Sequence, residues 1–371
     1  MKIKNKKNSR KNGVASSLFS KRKNLHVPLI ILGVCVVVLI LIAKYSSSVE
    51  PIQASIICTQ TGFFRDGINM TAAKINPGKI TGDVNATGCN IGVYYDTNGL
   101  VDKAIIHGAN YFGVLVNGDI KNPSVDISNS TIHDIGETPL NGTQHGVAIY
   151  YRGFGSGSTS GKIWNNTLSN YQKGGIVTNG ANTSVDIKGN TVTGQGPVNY
   201  IAQNGIQAGY GASAQVRNNT VIGNSYSGAN LAASGGIIAV GGAGYGNCPN
   251  GNPCPYTIKT IIDSNTVDGN DVGIWLSNLD ENFNAPTTQT NIKVVNNTIS
   301  NNGLNNTTGN SATQGYQAGV ADQGDNDKII NNTISGNGYN PANASASIFV
   351  TDIDASTTFT NRPKVHANTL N

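Results

Sequence analysis

One stretch of the chain concentrates the residue types that acid/base chemistry needs. Residues 132–153, IHDIGETPLNGTQHGVAIYYRG, contain two of the four histidines that follow residue 44, together with an aspartate, a glutamate and an arginine. A carboxylate pair assisted by histidine and arginine would suit proton transfer at a glycosidic bond or a uronate. The candidate catalytic residues are His133, Asp134, Glu137, His145 and Arg152. The alternative is a long loop whose polar side chains cap one another.

A second set of candidates comes from aligning the short strands that begin with glycine. Polar residues stand two positions before these glycines, and stacked coils would bring them into one ridge along the molecule. An extended glycan could lie on such a ridge, with amides bonding its hydroxyls and tyrosine rings stacking on its sugars. The candidate substrate-binding residues are Gln144, Tyr150, Tyr151, Lys173, Gln203, Asn204, Gln207, Asp271 and Gln317. The alternative is an ordinary solvated turn face.

A repeat must position these side chains. The pattern apolar-x-x-Asn-Thr-apolar recurs from DISNSTI (126–132), where serine replaces the asparagine, to KVHANTL (364–370), and glycine-led strands such as GVAIY (146–150) and GIVT (175–178) lie between copies. No ten-residue amphipathic helical pattern separates them. Strands this short bury an apolar face only when successive coils stack. The sequence therefore predicts an all-β protein, a right-handed parallel β-helix over residues 75–371.

The repeat also predicts which residues form the interior. The first apolar position gives an inward column of Ile127, Ile163, Ile187, Val216, Ile262, Val294, Ile329 and Val365, and the second runs from Ile132 to Leu370. The asparagines are expected to stack as well, each amide bonding the coils on either side. The stack would contain Asn166, Asn190, Asn219, Asn265, Asn297, Asn332 and Asn368, with Ser130 at its end. The N-x-T sequons thus indicate coil corners rather than glycosylation sites.

The I-x-x-N-x-I spacing followed by a G-I-x-V strand resembles the pectate-lyase-like right-handed β-helix repeat family. That family includes polysaccharide lyases, glycoside hydrolases, epimerases and non-catalytic surface proteins, so the resemblance implies a fold and a polysaccharide partner but no reaction. Gln144-His145-Gly146 and His133-Asp134 match only fragments of the family's catalytic motifs. We expect a lyase or a glycoside hydrolase acting on polysaccharide or cell-wall glycan; the alternative is a non-catalytic glycan-binding or structural cell-surface protein.

The charge distribution divides the chain. Residues 1–44 contain ten of the 25 basic residues and no acid, which leaves 15 basic and 20 acidic residues elsewhere, a net of −5, and argues against nucleic acid as a partner. The uncharged stretch Val27–Ala43 predicts a single transmembrane helix with the basic N-terminus in the cytoplasm. We expect a basic tail (1–26), an anchor (27–44), a linker and N-terminal cap (45–74) and the β-helix outside the cell. A cleaved signal peptide and secretion are the alternative.

Export would allow disulfides. The cysteines after the anchor are Cys58, Cys89, Cys248 and Cys254, and we predict the pairs Cys58–Cys89 and Cys248–Cys254. A metal site at these cysteines is less consistent with their spacing. No cofactor is expected. Calcium is the alternative, with oxygen ligands in ADQGDND (321–327) or NLDENFN (278–284), although neither stretch has EF-hand or RTX spacing.

Overall fold

The computed structural model describes residues 56–230, 232–303, 318–337, 348–350 and 363–370. The predicted tail (1–26) and anchor (27–44) lie outside these residues. Within the described ranges no helix is long and apolar enough to cross a membrane. The regular secondary structure of the described chain consists of β-strands and one short 3₁₀-helix at Ala243–Tyr245.

The strands follow one another in short coils. In chain order they are β1 (Thr59–Arg65), β2 (Ile68–Ile75), β3 (Lys79–Asn85), β4 (Ile91–Tyr95), β5 (Gly99–His107), β6 (Phe112–Asn117), β7 (Val125–Ser128), β8 (Thr131–His133), β9 (Val147–Arg152), β10 (Thr159–Trp164), β11 (Thr167–Ser169), β12 (Gly174–Asn179), β13 (Thr183–Lys188), β14 (Thr191–Val198), β15 (Asn204–Gly209), β16 (Ser213–Arg217), β17 (Thr220–Tyr226), β18 (Gly235–Gly241), β19 (Ile261–Asp263), β20 (Thr266–Asp268), β21 (Val272–Asn278), β22 (Lys293–Val295), β23 (Thr298–Ser300), β24 (Ala318–Asp322), β25 (Lys328–Ile330), β26 (Thr333–Ser335), β27 (Ile348–Val350), β28 (Lys364–His366) and β29 (Thr369–Leu370).

These strands form two sheets, which confirms the predicted parallel β-helix. The 11-stranded sheet, face A, has the order β1-β2-β4-β6-β9-β12-β15-β18-β21-β24-β27. The 18-stranded sheet bends into two faces: face B, which includes β7, β10, β13, β16, β19, β22, β25 and β28, and face C, which includes β8, β11, β14, β17, β20, β23, β26 and β29. β1 and β2 form an antiparallel hairpin at one end of face A, and the other described pairings are parallel.

The asparagine stack forms at the bend between faces B and C. Asn219 is typical: its Oδ1 accepts the backbone N–H and the side-chain Nδ2 of Asn190, both at 2.9 Å, and its own Nδ2 donates to Ile187 O and to Asn265 Oδ1, both at 3.0 Å. Ser130 ends the stack by donating its N–H to Asn166 Oδ1 at 3.0 Å. The amides from Asn166 to Asn332 are buried but hydrogen-bonded to both neighbouring coils, so they avoid the cost of an unpaired polar group.

The left-handed residue that turns the corner stands one position before each stacked side chain. These residues are Asn129, Asn165, Gly189, Asn218, Ser264, Asn296, Asn331 and Ala367, with φ between 51° and 68°. Asparagine is over-represented because it tolerates this conformation better than most side chains. The two asparagines of each Asn-Asn pair therefore have different roles. The first adopts the left-handed conformation of the turn, and the side chain of the second bonds the neighbouring coils.

A second asparagine stack, which the sequence analysis did not predict, lies at the bend between faces C and A. Asn224 donates to Asn270 Oδ1 at 3.0 Å, Asn270 donates to Asn302 Oδ1 at 2.9 Å, and Asn302 donates to Asn337 Oδ1 at 2.9 Å. All four side chains are buried. Asn224 also accepts the hydroxyl of the buried Tyr171 at 2.6 Å. The later coils are thus joined at two corners instead of one.

Both predicted apolar columns face the interior. Their members from Ile127 to Ile329 and from Ile132 to Ile334 are essentially fully buried. Val365 and Leu370 are 43% and 57% exposed, because no described coil covers them. Both predicted disulfides, Cys58–Cys89 and Cys248–Cys254, are present.

The glycines of face A form an inward column that leaves room for the apolar column of face C. A Cβ on Gly205 would lie 2.3 Å from Val221 Cγ1 and 2.5 Å from Gly236 O, and a Cβ on Gly273 would lie 2.4 Å from Gly319 O. The pairing of β12 with β9 places Ala148 beside Gly175, so Ala148 occupies this column in the preceding coil. The predicted alignment through Gly146 was therefore wrong by two residues.

Two acids are buried together near the last described strands. Asp327 Oδ1 accepts from the Thr290 hydroxyl at 2.7 Å and from the N–H of Ile292 at 2.6 Å, and its carboxyl hydrogen-bonds to that of Asp322. Burial, followed by the nearby Asp322, raises the pKa of Asp327 from 3.8 to about 9. Burial also raises the pKa of Asp322. At neutral pH the pair therefore shares a proton.

We predict that the amide stack contributes strongly to stability. Asn219→Ala should lower the free energy of unfolding by about 2–4 kcal/mol, because it leaves several buried partners without hydrogen bonds. Asn199→Ala, which removes an exposed loop amide, is the matched control and should change it by less than about 0.5 kcal/mol. Chemical denaturation followed by circular dichroism would measure both. Equal effects of the two substitutions would contradict this role of the stack.

We predict that Asp327 makes the fold less stable as the pH rises. Because its pKa is raised on folding, its contribution is complete below about pH 4 and is lost as the pH rises through about 9. Asp327→Asn keeps an acceptor for Thr290 and Ile292 and removes this titration, so thermal unfolding from pH 5 to pH 9 should show a flatter profile. Asp263→Asn is the surface control and should keep the wild-type slope. A steep slope in Asp327→Asn would refute the assignment.

Candidate functional site

A groove of about 530 Å³ lies on the outer side of face A. Its lining comes from separate parts of the chain. It consists of Phe64, Arg65, Asp66, Gln144, Val147, Tyr150, Arg152, Phe154, Lys173, Val177, Asn179, Asn204, Gln207, Tyr210, Tyr245, Asn247, Cys248, Pro249 and Cys254. We call this set the groove. A depression of this size accommodates a small ligand or a few units of a chain.

The floor of the groove is provided by three neighbouring strands of face A. The register places Tyr150 of β9 beside Val177 of β12, and Val177 beside Gln207 of β15. Arg152 lies beside Asn179 in the same way. Because alternate residues of a strand point to opposite sides, these side chains form columns on the outer surface while their neighbours enter the core.

One wall is the tip of the β1–β2 hairpin. Arg65 Nη2 donates to Gln144 O at 3.1 Å, and its guanidinium lies 5.3 Å from the centre of the Phe112 ring. Phe112 in turn stacks on Tyr150 at 5.2 Å between ring centres. The hairpin is thus held against the floor through an arginine and two aromatic rings.

The opposite wall is the loop closed by the Cys248–Cys254 disulfide. Both cysteines are buried and pack with Phe154, and Tyr210 borders this cluster. Tyr210 lies edge-on to Tyr245, with 6.2 Å between ring centres. A six-residue separation between the two cysteines keeps this wall short and constrained.

The charged side chains of the groove are mainly cationic. Arg152 is nearly buried, forms an ion pair with Asp119 at 2.7 Å, and lies between the rings of Phe63 and Phe154 at 4.8 and 5.3 Å. Lys173 has no ion-pair partner in the described part of the chain, and its Nζ donates to Ala202 O at 2.9 Å. Burial lowers the pKa of Lys173 to about 8. The only acid in the lining is Asp66.

A row of amide side chains crosses the floor of the groove. Gln207 Nε2 donates to Asn179 Oδ1 at 3.0 Å, and Asn204 Nδ2 approaches Gln207 Oε1 at 3.4 Å. All three side chains line the groove, and Gln207 and Asn204 are half-exposed. Each amide has both donor and acceptor atoms, so the row can bond a ligand rich in hydroxyl groups.

The candidate catalytic residues are divided between two places. Asp134 and Glu137 line a separate pocket of about 290 Å³ in the loop that precedes β9. His133 Nδ1 lies 2.6 Å from Asp134 Oδ2, and His145 Nε2 lies 2.6 Å from Glu137 Oε1. Arg152 lines the groove instead. The five residues therefore do not form a single site.

The acids of this smaller pocket are engaged by neighbouring side chains. Burial alone would raise the pKa of Asp134, but hydrogen bonds from Asn170 and His133 lower it overall. His145 is nearly buried and stacks on Tyr111, with 3.8 Å between ring centres. These contacts agree better with mutual capping in a loop than with an open pair of acid and base.

The predicted polar ridge is not an exposed surface. Gln203 is fully buried and bonds Tyr171 O and the N–H of Gln195 at 2.7 and 3.0 Å. Asp271 is also fully buried and accepts from Ser225 Oγ at 2.6 Å. These two side chains close the turns between faces C and A, so they are out of reach of a ligand on the surface.

The remaining candidates have mixed outcomes. Tyr151 points into the core, where its hydroxyl donates to Val125 O at 2.6 Å and burial raises its pKa. Gln317 lies outside the described residues. Lys173 lies beside Gly146 rather than beside Gln144, because its backbone N–H donates to Gly146 O; the predicted alignment of Gln144 with Lys173 is therefore out of register by two residues. The candidates that the groove does contain are Gln144, Tyr150, Arg152, Lys173, Asn204 and Gln207.

The sequence analysis missed the walls of the groove. Strand alternation places Val177 and Asn179 of β12 on the same outward side. No repeat pattern identifies Phe64, Arg65 or Tyr245, because the hairpin and the disulfide loop each occur once. Their contacts join parts of the chain far apart in sequence.

The described residues offer no ready cation site. Among them no group of three or more histidine, cysteine or acidic side chains is arranged to hold a metal ion. Asp280 Oδ1 accepts the N–H groups of Asn282 and Asn284, both at 2.9 Å, and so caps its own turn. Calcium binding at either loop stays a prediction, which these contacts do not test.

Comparison with known proteins identifies the repeat. No curated protein matches the chain. Residues 66–246 match the family model described as a right handed beta helix region, so this part of the chain is similar to that family. The matched part contains most of the lining of the groove; the residues outside it are Phe64, Arg65 and those from Asn247 to Cys254.

Proposed function

We propose that the groove binds a segment of polysaccharide that contains acidic sugars. The observation that carries this proposal is the composition of its lining, in which aromatic rings, a row of amides and three cations surround one depression with a single acid. Aromatic rings suit the apolar faces of sugars, and amides suit their hydroxyls. Arg65 pairs with Asp66 at 3.7 Å and Arg152 pairs with Asp119 at 2.7 Å. Lys173, which has no ion-pair partner in the described part of the chain, therefore supplies the positive charge that favours a chain with carboxylates.

The site is proposed to act outside the cytoplasm. The two disulfides support an oxidising compartment, because such bonds are rare in the cytosol. Attachment to a membrane through residues 27–44 belongs to the same proposal. An extracellular or cell-wall polysaccharide would then be accessible to the groove.

A second candidate function, cleavage by β-elimination, is favoured by Lys173. A lysine whose pKa is lowered to about 8 is partly neutral near neutral pH and can accept a proton. It would remove the proton from the carbon next to a uronate carboxylate, and the electrons of that C–H bond would form a carbon–carbon double bond. The adjacent glycosidic carbon–oxygen bond would break, and the departing oxygen would keep the bonding pair and take up a proton from the protonated Lys173 or from water. Hydrolysis is less consistent with the groove, because the two flanking carboxylates that it usually needs are not in the lining.

We predict that the floor of the groove controls affinity for acidic polysaccharide. Gln207→Ala and Lys173→Met should each weaken binding of polygalacturonate or alginate about tenfold, because each removes a hydrogen bond to the ligand and one of these bonds is charged. Lys293→Met removes an exposed lysine on face B and is the matched control. Calorimetry with the full chain would measure the affinities. Failure of every acidic polysaccharide to bind would refute the proposal.

We predict opposite pH dependences for binding and cleavage. Lys173 is charged below its pKa of about 8, so affinity for a carboxylate chain should fall as the pH rises through about 8. A base must be neutral, so a cleavage rate should rise over the same range. The absorbance of unsaturated uronates would follow cleavage. Lys173→Arg should retain binding and lose turnover; unchanged turnover in this variant would contradict the role of Lys173 as the base.

A further inference from the structure

A second depression, of about 460 Å³, lies on face B, away from the groove residues. Four serines form a column along it, one on each of four successive coils. The register joins Ser124 to Ser160, Ser160 to Ser184, and Ser184 to Ser213. All four side chains are exposed. No hydrogen bond among the described residues engages their hydroxyls, which are therefore available to a ligand.

The charges beside this column neutralise one another. Arg217 holds Asp186 with two nitrogens, at 2.9 and 3.1 Å from Oδ1 and 2.9 Å from Oδ2. Trp164 Nε1 also donates to Asp186 Oδ2, at 3.2 Å. Lys162 donates its backbone N–H to Asp126 Oδ1 at 3.0 Å. The two acids and two bases of the lining leave no net charge.

The side chains are also held in place before any ligand arrives. Lys162 Nζ lies 4.8 Å from the centre of the Trp164 ring, and Asp186 fixes the indole nitrogen of the same ring. Trp164 is half-exposed on the strand that carries Ser160. The ring lies outside the lining of the depression, four residues along β10 from Ser160, and Lys162 stands between the two on the same side of the strand.

This arrangement is confined to a few coils. β10 and β13 have six residues and β16 has five, whereas β19, β22 and β25 have three. The additional residues at the start of the longer strands carry the serine column. In later coils of face B, the column next to the position of the serines consists of Lys293, Lys328 and Lys364. These three residues carry like charges, and no serines lie beside them. The depression therefore differs from the general surface of the solenoid.

We propose that this serine face binds a neutral polysaccharide whose chain runs along the solenoid axis. Hydroxyls both donate and accept, so a column of them can bond the hydroxyls of successive sugars. The coils repeat about every 4.8 Å, which is close to the length of one sugar unit in an extended chain. The lining carries no net charge and therefore does not favour an anionic chain. The site is independent of the groove and of the function proposed for it.

The test compares neutral oligosaccharides on the full chain and its variants. Hexamers of cellulose, xylan, mannan and β-1,3-glucan would be titrated by calorimetry. We expect at least one to bind, and the double substitution Ser160→Ala with Ser184→Ala to weaken that binding about tenfold or more. Ser160→Thr with Ser184→Thr keeps both hydroxyls and should retain most of the affinity.

Two controls separate this site from others. Thr167→Ala with Thr191→Ala removes two exposed hydroxyls from face C of the same coils, and Lys173→Met alters the groove; both should leave neutral binding unchanged. Thermal unfolding would show that each variant is folded. The proposal is overturned if no neutral hexamer binds, if the serine-to-alanine variant binds like the wild type, or if only the groove variant loses binding.

Discussion

The bonding of one asparagine amide to the next is the constraint on which the rest of the structure depends. Each stacked amide bonds the coil before it and the coil after it, so it fixes the spacing and the register of faces B and C at once. A buried amide tolerates little displacement, because any lost hydrogen bond leaves an unpaired polar group. The apolar columns can then fill the interior without determining the register themselves. This explains why a core of similar isoleucines and valines does not slip.

The inward column of glycines is the complementary constraint on face A. With the bend between faces B and C fixed, the apolar column of face C approaches the backbone of face A too closely for a side chain at Gly205 or Gly236. The next outward positions on the same strands remain unconstrained by the core. The inward residues thus hold the coils together, whereas the outward residues can differ in type from coil to coil. The floor of the groove is formed by outward residues.

How much could be predicted follows from this separation. The columns of Ile127 and Ile132 and the stack of Asn219 repeat in every coil, so the sequence was enough to place them. The burial of Gln203 and Asp271 depends on hydrogen bonds from Gln195 and Ser225, which belong to individual turns and follow no repeat. The sequence does not distinguish a polar residue that a turn buries from one at the same position of the repeat that is exposed to solvent.

The groove could be predicted only in part, for a related reason. Its floor follows strand alternation, but its walls come from a hairpin and a disulfide loop that fold onto face A through tertiary contacts. The bond between Arg65 and Gln144 joins residues 79 positions apart. A uniform solenoid would present identical columns along its length and would have no preferred place for a ligand. Both proposed sites lie where the repeat is interrupted, one at the two walls of the groove and the other at the longer strands of the serine face.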